Sequence, residues 1–214
     1  MDWTKIEDVS AELPLPEGYR LEQLRRADIP ALVAALKTWF PGIAVGCACC
    51  YLQEDYYARE VSLAGEQETD VYVAVTKKGD ELVAMWACER DRETRTLYAR
   101  LAAIAPEHRG ARMTHAVLGL AEAAGRAMGV GLIYGMATLK IPYMQQALER
   151  MGWKLIGITP YDREMVAPGV VKRVFEAVYA KVLDRDEDLL RPDPQNLTPA
   201  TRALFDALFP AAAM

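Results

Sequence analysis

The chain has 214 residues, enough for one domain with a substantial core and short terminal additions. Apolar residues make up 52% of it, which excludes a disordered chain, and a net charge of −5 speaks against a general nucleic-acid binder, whose affinity rests on neutralising phosphates. No apolar run approaches the roughly 18–20 residues that span a bilayer, and residues 1–9 carry Asp2, Glu7 and Asp8, unlike a secretory signal. A cytoplasmic protein without a membrane or nucleic-acid partner is expected.

Residues 1–18 form an N-terminal extension, read as a short polar helix followed by the extended stretch LPLPEG. A first strand follows in YRLEQLR, where Tyr19, Leu21 and Gln23 alternate with Arg20, Glu22 and Leu24. Asp28 can cap the next helix with Pro30 in its first turn, and Ile29, Leu32, Val33 and Leu36 recur at helical spacing. Residues 43–70 carry the weakest pattern; YLQEDYYAREVSLA reads as a helix. Cys47, Cys49 and Cys50 lie there in GCACC, too crowded for a disulfide framework and without the spaced second pair that a zinc site needs. No metal is expected, and these are read as reduced thiols on a partly buried loop.

Residues 70–76 and 82–89 read as an antiparallel hairpin around the turn KKGDE, and residues 94–105 as a third strand ended by Pro106. Met113, Ala116, Val117, Leu120, Ala121, Ala124 and Met128 then mark one face of a strong helix, stopped by Gly129 and Gly131. A buried strand is predicted over 132–138, a helix opened by Pro142 and closed by Gly152, and two strands over 153–159 and 170–183. A polar stretch leads into a last amphipathic helix, capped by Thr198 with Pro199 at its first position. Its Leu204, Phe205, Leu208 and Phe209 need cover, from the same domain or from a second copy in a homodimer. The expected organisation is an extension (1–18), one domain (19–183) and a tail with its helix (184–214). The expected fold class is α/β: a mixed, mostly antiparallel central sheet with helices on both faces.

The turn IAPEHRGARMTH, between the third meander strand and the strong helix, resembles motif A of the GNAT acyltransferase superfamily. Pro106 ends the strand, and Arg109-Gly110 matches the opening of that motif. QQALERMGWKLIGI is similar to the helix–glycine–aromatic–strand end of the same fold, with Gly152-Trp153 at its centre. The resemblance covers roughly residues 19–183. A loop entering a helix also presents unpaired N–H groups and a positive dipole end, suited to a pyrophosphate, and Arg109 and Arg112 add guanidinium groups.

The resemblance implies an N-acyltransferase that moves an acyl group from acetyl-CoA or a longer acyl-CoA to an amine of a small molecule or peptide. The turn Arg109, Gly110, Ala111, Arg112, Met113 and Thr114 would hold the phosphates, and the backbone at Ala102 and Ile104 the pantetheine arm. Two helix-proximal glycines of the family pattern are Arg112 and Thr114 here, and the tyrosine that many relatives use to protonate the leaving thiolate is Leu148. Tyr143, or Tyr134 on the preceding strand, could take that role; Glu89 and His108 are the candidate bases. The same departures fit a non-catalytic module that binds an acyl-CoA.

Overall fold

The computed structural model describes residues 1–10, 13, 15–109 and 113–210. A second compact unit begins at Asp184. The main unit, residues 1–183, holds eight strands: β1 (Tyr19–Gln23), β2 (Val61–Ser62), β3 (Val71–Lys78), β4 (Glu81–Asp91), β5 (Thr96–Ile104), β6 (Leu132–Thr138), β7 (Lys154–Ala167) and β8 (Val170–Val182). The order is β1-β3-β4-β5-β6-β8-β7, with the two-residue β2 beside β3. Only β5/β6 and β2/β3 run parallel, so the sheet is mixed and mostly antiparallel, as its sequence implies. No helix among the described residues is long and apolar enough to cross a membrane.

Among the described residues this unit carries the α-helices α1 (Ile6–Ser10), α2 (Ile29–Trp39), α3 (Glu54–Glu60), α4 (Met113–Ala127) and α5 (Tyr143–Arg150). The apolar stripe of α4, with Ile6 of α1 and Ala147 and Leu148 of α5, packs on Leu97, Ile133, Ala177 and Tyr179. Leu32, Val33 and Leu36 of α2 pack with Tyr57 of α3 on Val73, Val75, Met85 and Ala103, on the opposite face. A sheet buried on both faces explains why β3 and β4 read as near-continuous apolar runs. The N-terminal residues join the first layer: the Trp3 indole donates to the Thr69 carbonyl at 2.7 Å and lies over the buried guanidinium of Arg90.

Several expectations are corrected in detail. Asp28 occupies the N-cap position of α2 without a capping hydrogen bond, because its carboxylate binds Lys77 at 2.8 Å instead. The helix expected over 51–64 is shorter, confined to α3, and gives way to β2. The strand expected to stop at 159 continues to Ala167. Pro160, which donates no N–H, falls with Tyr161 in a register shift between Thr159 and Asp162, so the ladder resumes beyond it.

In the separate C-terminal unit, α6 (Pro199–Leu208) begins with Thr198, whose hydroxyl accepts from the Thr201 N–H. The Arg191 side chain donates to the Phe209 carbonyl.

The feature that organises one end of the sheet is a divergence. β5 and β6 pair from Thr96/Leu132 only as far as Ala99/Gly135, although β5 runs to Ile104 and β6 to Thr138. Gly135 is the last paired residue, and a Cβ there would lie 3.1 Å from the Ala99 carbonyl oxygen and 3.2 Å from its Cβ. Gly135→Ala is expected to cost about 1–3 kcal/mol, since backbone must move to admit the methyl. Gly157→Ala, with nothing within 4 Å of the added Cβ, is expected to stay within about 0.5 kcal/mol. Urea denaturation of the two variants measures the difference.

Candidate functional site

A β-bulge sits where the two strands part. Ala87 faces Leu101 and Cys88 faces Ala99, which leaves Arg100 as the extra residue on β5. Two residues after Tyr98, Arg100 points to the same α2–α3 side of the sheet, and the bulge lets Leu101 share that face. There its guanidinium donates to Glu89 at 2.9 Å and to the Cys47 carbonyl at 3.4 Å, and it lies 5.9 Å from the ring centres of both Tyr51 and Tyr98. Tyr98 stacks on Tyr134 across the paired part of β5/β6, centroids 4.9 Å apart and planes within 5°. The two rings floor the site at the root of the gap.

Backbone polarity continues along the open edge. The Ala105 N–H donates to the Val83 carbonyl on β4. Alternation along the strand therefore turns Ala103 to β4 as well, and Ala102 and Ile104 toward the gap. The described part of α4, the helix that follows β5 in the chain, begins at Met113 and Thr114.

The segment after α2 covers this face. It leaves the helix at Phe40, passes through a 3-10 turn at Pro41–Ala44 and reaches β7, the far edge strand. The Cys47 N–H and thiol both donate to the Asp162 carboxylate, at 2.8 and 3.2 Å. Because β6 and β8 lie between β5 and β7, this segment arches over both. Gly46 makes the approach possible: its φ is +94°, and a Cβ would fall 2.2 Å from the Arg163 carbonyl oxygen and 2.3 Å from Asp162 Oδ1. Burial first, and then the bond to Asp162, push the Cys47 thiol up to about 12, so it stays protonated and donates. Burial also raises Cys50 and pushes Tyr56 up to about 12. These are not activated nucleophiles.

Glu176 completes the site. It lies on β8 opposite Thr138, the last residue of β6, and opposite Thr159 of β7. Strand alternation puts it on the face of Tyr134, away from Ala177 and Tyr179, which pack under α4 and α5. Burial, followed by the neighbouring Asp162 charge, raises its carboxyl from 4.5 to about 7.

The residues singled out by sequence fall as follows. Ala102 and Ile104 border the gap; the Ile104 carbonyl accepts from Arg109 Nε at 3.2 Å. Arg109 also donates to the Trp39 carbonyl and stacks on Phe40, so it ties the end of β5 to the end of α2. Gly110, Ala111 and Arg112 lie outside the described residues. Met113 is buried and Thr114 half-buried at the start of α4. Glu89 is in the site but bound to Arg100. Tyr143 is 72% exposed on the first turn of α5, with no hydrogen bond or ring contact among the described residues. Leu148 is in the core. His108 bonds Tyr19 through Nδ1 at 2.8 Å, next to β1. Sequence patterning did not single out Arg100, Asp162 or Glu176. The available signal was an arginine inside the apolar strand LYARLAAIA and a glutamate interrupting VVKRVFEAVYAKV.

No protein-family model matches this sequence, and no curated protein does. Solved structures match closely in shape. Spermidine/spermine N-acetyltransferase SpeG of Vibrio cholerae, in mutant form, aligns at a TM-score of 0.61 and 14% identity, over 78% of this chain and 95% of that one. The ribosomal-protein-S18-alanine N-acetyltransferase of Escherichia coli aligns at 0.58 and 13% identity, over 81% and 99%. A putative GNAT-family acetyltransferase of Desulfovibrio desulfuricans aligns at 0.58 and 12% identity, over 78% and 99%. Identities this low speak to fold, and the fold is that of the GNAT acetyltransferases.

Gly46→Ala is expected to lose about 2 kcal/mol or more, since it adds a backbone collision with β7 to an unfavourable φ. Gly65→Ala, at φ +79° with open space around the Cβ, pays only the backbone part. The denaturation midpoints of the two variants separate these contributions.

Proposed function

We propose that this chain is an acyl-CoA-dependent N-acyltransferase whose donor lies in the gap between β5 and β6. The observation that carries the reading is the early end of the parallel pair at Ala99/Gly135, with Ala102 and Ile104 turned into the opening beyond it. Buried backbone amides need partners, and an extended chain with alternating amide groups, such as a pantetheine arm, supplies them. The Ala102 and Ile104 amides would hold that arm, and the Met113 and Thr114 amides at the start of α4 the pyrophosphate, where the helix dipole favours an anion. Placing the thioester beside the acceptor is then the main source of rate.

The acceptor enters from the other side of the gap, beneath the arch at Gly46 and Cys47. Aromatic rings at Tyr98 and Tyr134 with carboxylates at Asp162 and Glu176 suit a cationic primary amine. The named activities of the structural neighbours, on spermidine and on a protein's alanine, give two amines to begin with. Leu148 carries no proton, and with a thiol pKa near about 8.5 the departing thiolate can leave without a dedicated acid. A second reading, a binding module without turnover, draws on that same buried Leu148.

Calorimetry with acetyl-CoA, butyryl-CoA and octanoyl-CoA is expected to give one site, with dissociation constants in the range of about 1 μM to 1 mM. Thiol release with spermidine, putrescine and an alanine-ended peptide is expected for at least one amine. Failure to bind any of the three donors contradicts the proposal. Binding without thiol release from any pairing favours the module.

A further inference from the structure

We infer that Glu176 takes the proton from the acceptor's ammonium group, an assignment that rests on the transferase reading and deepens it. The carboxylates on this face differ in free acceptor capacity. Glu89 is bound to Arg100, and Glu164, on the same face of β7 as Asp162, to Lys140. Asp162 receives the Cys47 N–H, the Cys47 thiol and its neighbour's N–H at Arg163. Glu176 has no hydrogen bond or ion pair among the described residues, and it stands opposite the last residue of β6, past the point where β5 has departed. It is half-buried, a costly place for a carboxylate without a donor.

The titratable groups around Glu176 are Asp162 on β7, Cys47 on the arch and Tyr98 on β5, each electrostatically coupled to it. Asp162 is an anion, and the Cys47 thiol and Tyr98 hydroxyl are both pushed upward by burial and stay neutral. The nearby cations are engaged elsewhere, Arg100 with Glu89 and the Cys47 carbonyl and Lys140 with Glu164, and none is bonded to Glu176 among the described residues. An incoming ammonium meets a carboxylate whose proton affinity is raised by burial and by Asp162, which is the condition for a base working near neutral pH. Asp162, fixed by the arch, acts as a positioning residue through its charge.

The step balances as follows. R–NH3+ gives one proton to the Glu176 carboxylate and becomes R–NH2. The nitrogen lone pair attacks the thioester carbonyl carbon, the C–N bond forms, and the C–S bond breaks as the tetrahedral adduct collapses. The second nitrogen proton goes to the departing thiolate, giving an amide and a free thiol. Protonated Glu176 returns its proton to water.

The test uses the full chain, saturating acetyl-CoA and the amine of the panel above that turns over fastest, with rate followed against pH. The wild type is expected to lose rate below about pH 7. Glu176→Gln is expected to lower the rate at pH 8 by about 100-fold or more and to move the acidic limb up to the amine's own pKa. Asp162→Asn, which removes the charge that raises Glu176, is expected to shift the limb below the wild-type position. A folding control has its own sign. The folded-state pKa of Glu176 lies above its ordinary 4.5, so its contribution to stability is full below about pH 4.5 and is lost as pH rises through about 7. E176Q should therefore match the wild-type Tm near pH 4 and exceed it near pH 8.5, with acetyl-CoA affinity unchanged. A limb that stays near pH 7 in E176Q, with rate within threefold of wild type, overturns the assignment and leaves the transferase reading standing. Acetyl-CoA bound without turnover of any amine overturns the transferase reading, and the assignment with it.

Discussion

Unpaired backbone inside a sheet is the constraint on which this structure turns. Two parallel strands that separate halfway along their length expose amides and carbonyls where water has limited access, and each group left without a partner carries a penalty. Gly135 and the bulge at Arg100 bring β5 and β6 close at one end and let them part at the other. Arg109 satisfies one of the exposed carbonyls, at Ile104. The remaining groups along Ala102 and Ile104 face the opening between β5 and β6.

The same bulge serves the opposite side of the site. It lets Leu101 share the α2–α3 face with Arg100, which Glu89, Tyr51, Tyr98 and the Cys47 carbonyl receive there. The Arg100 charge balances Glu89 and leaves Asp162 and Glu176 as the uncompensated carboxylates on the far strands. The arch from α2 to β7 covers this face in part, and its hold depends on Gly46 fitting against Arg163 and Asp162. The proposed donor slot and acceptor chamber thus share one structural cause, the divergence of two strands.

Much of the fold was legible because local and tertiary demands agree. The β3–β4 hairpin, the stripe on α4, the buried strand β6 and the Thr198-Pro199 start of α6 each appear where period, turn residues or caps place them. The segment 41–60 was not legible, since its conformation follows from reaching β7, more than a hundred residues away in sequence. β7 beyond Pro160 was obscured because proline ordinarily ends a strand and here lies in a bulge. The candidate site divides the same way. Ala102 and Ile104 were reached in sequence only through the family resemblance. Glu176, Asp162 and Arg100 converge only through sheet order β5-β6-β8-β7 and the arch, which no local pattern encodes.

The central claim is that the exposed edge of β5 binds an extended acyl-thioester arm through its backbone. Amide hydrogen exchange at Ala102 and Ile104, read by NMR with and without acetyl-CoA, addresses it directly. The account predicts strong slowing at those two amides, with the β4-facing Ala103 little changed. Equal exchange rates in the two states, at a concentration where acetyl-CoA is bound, would contradict it.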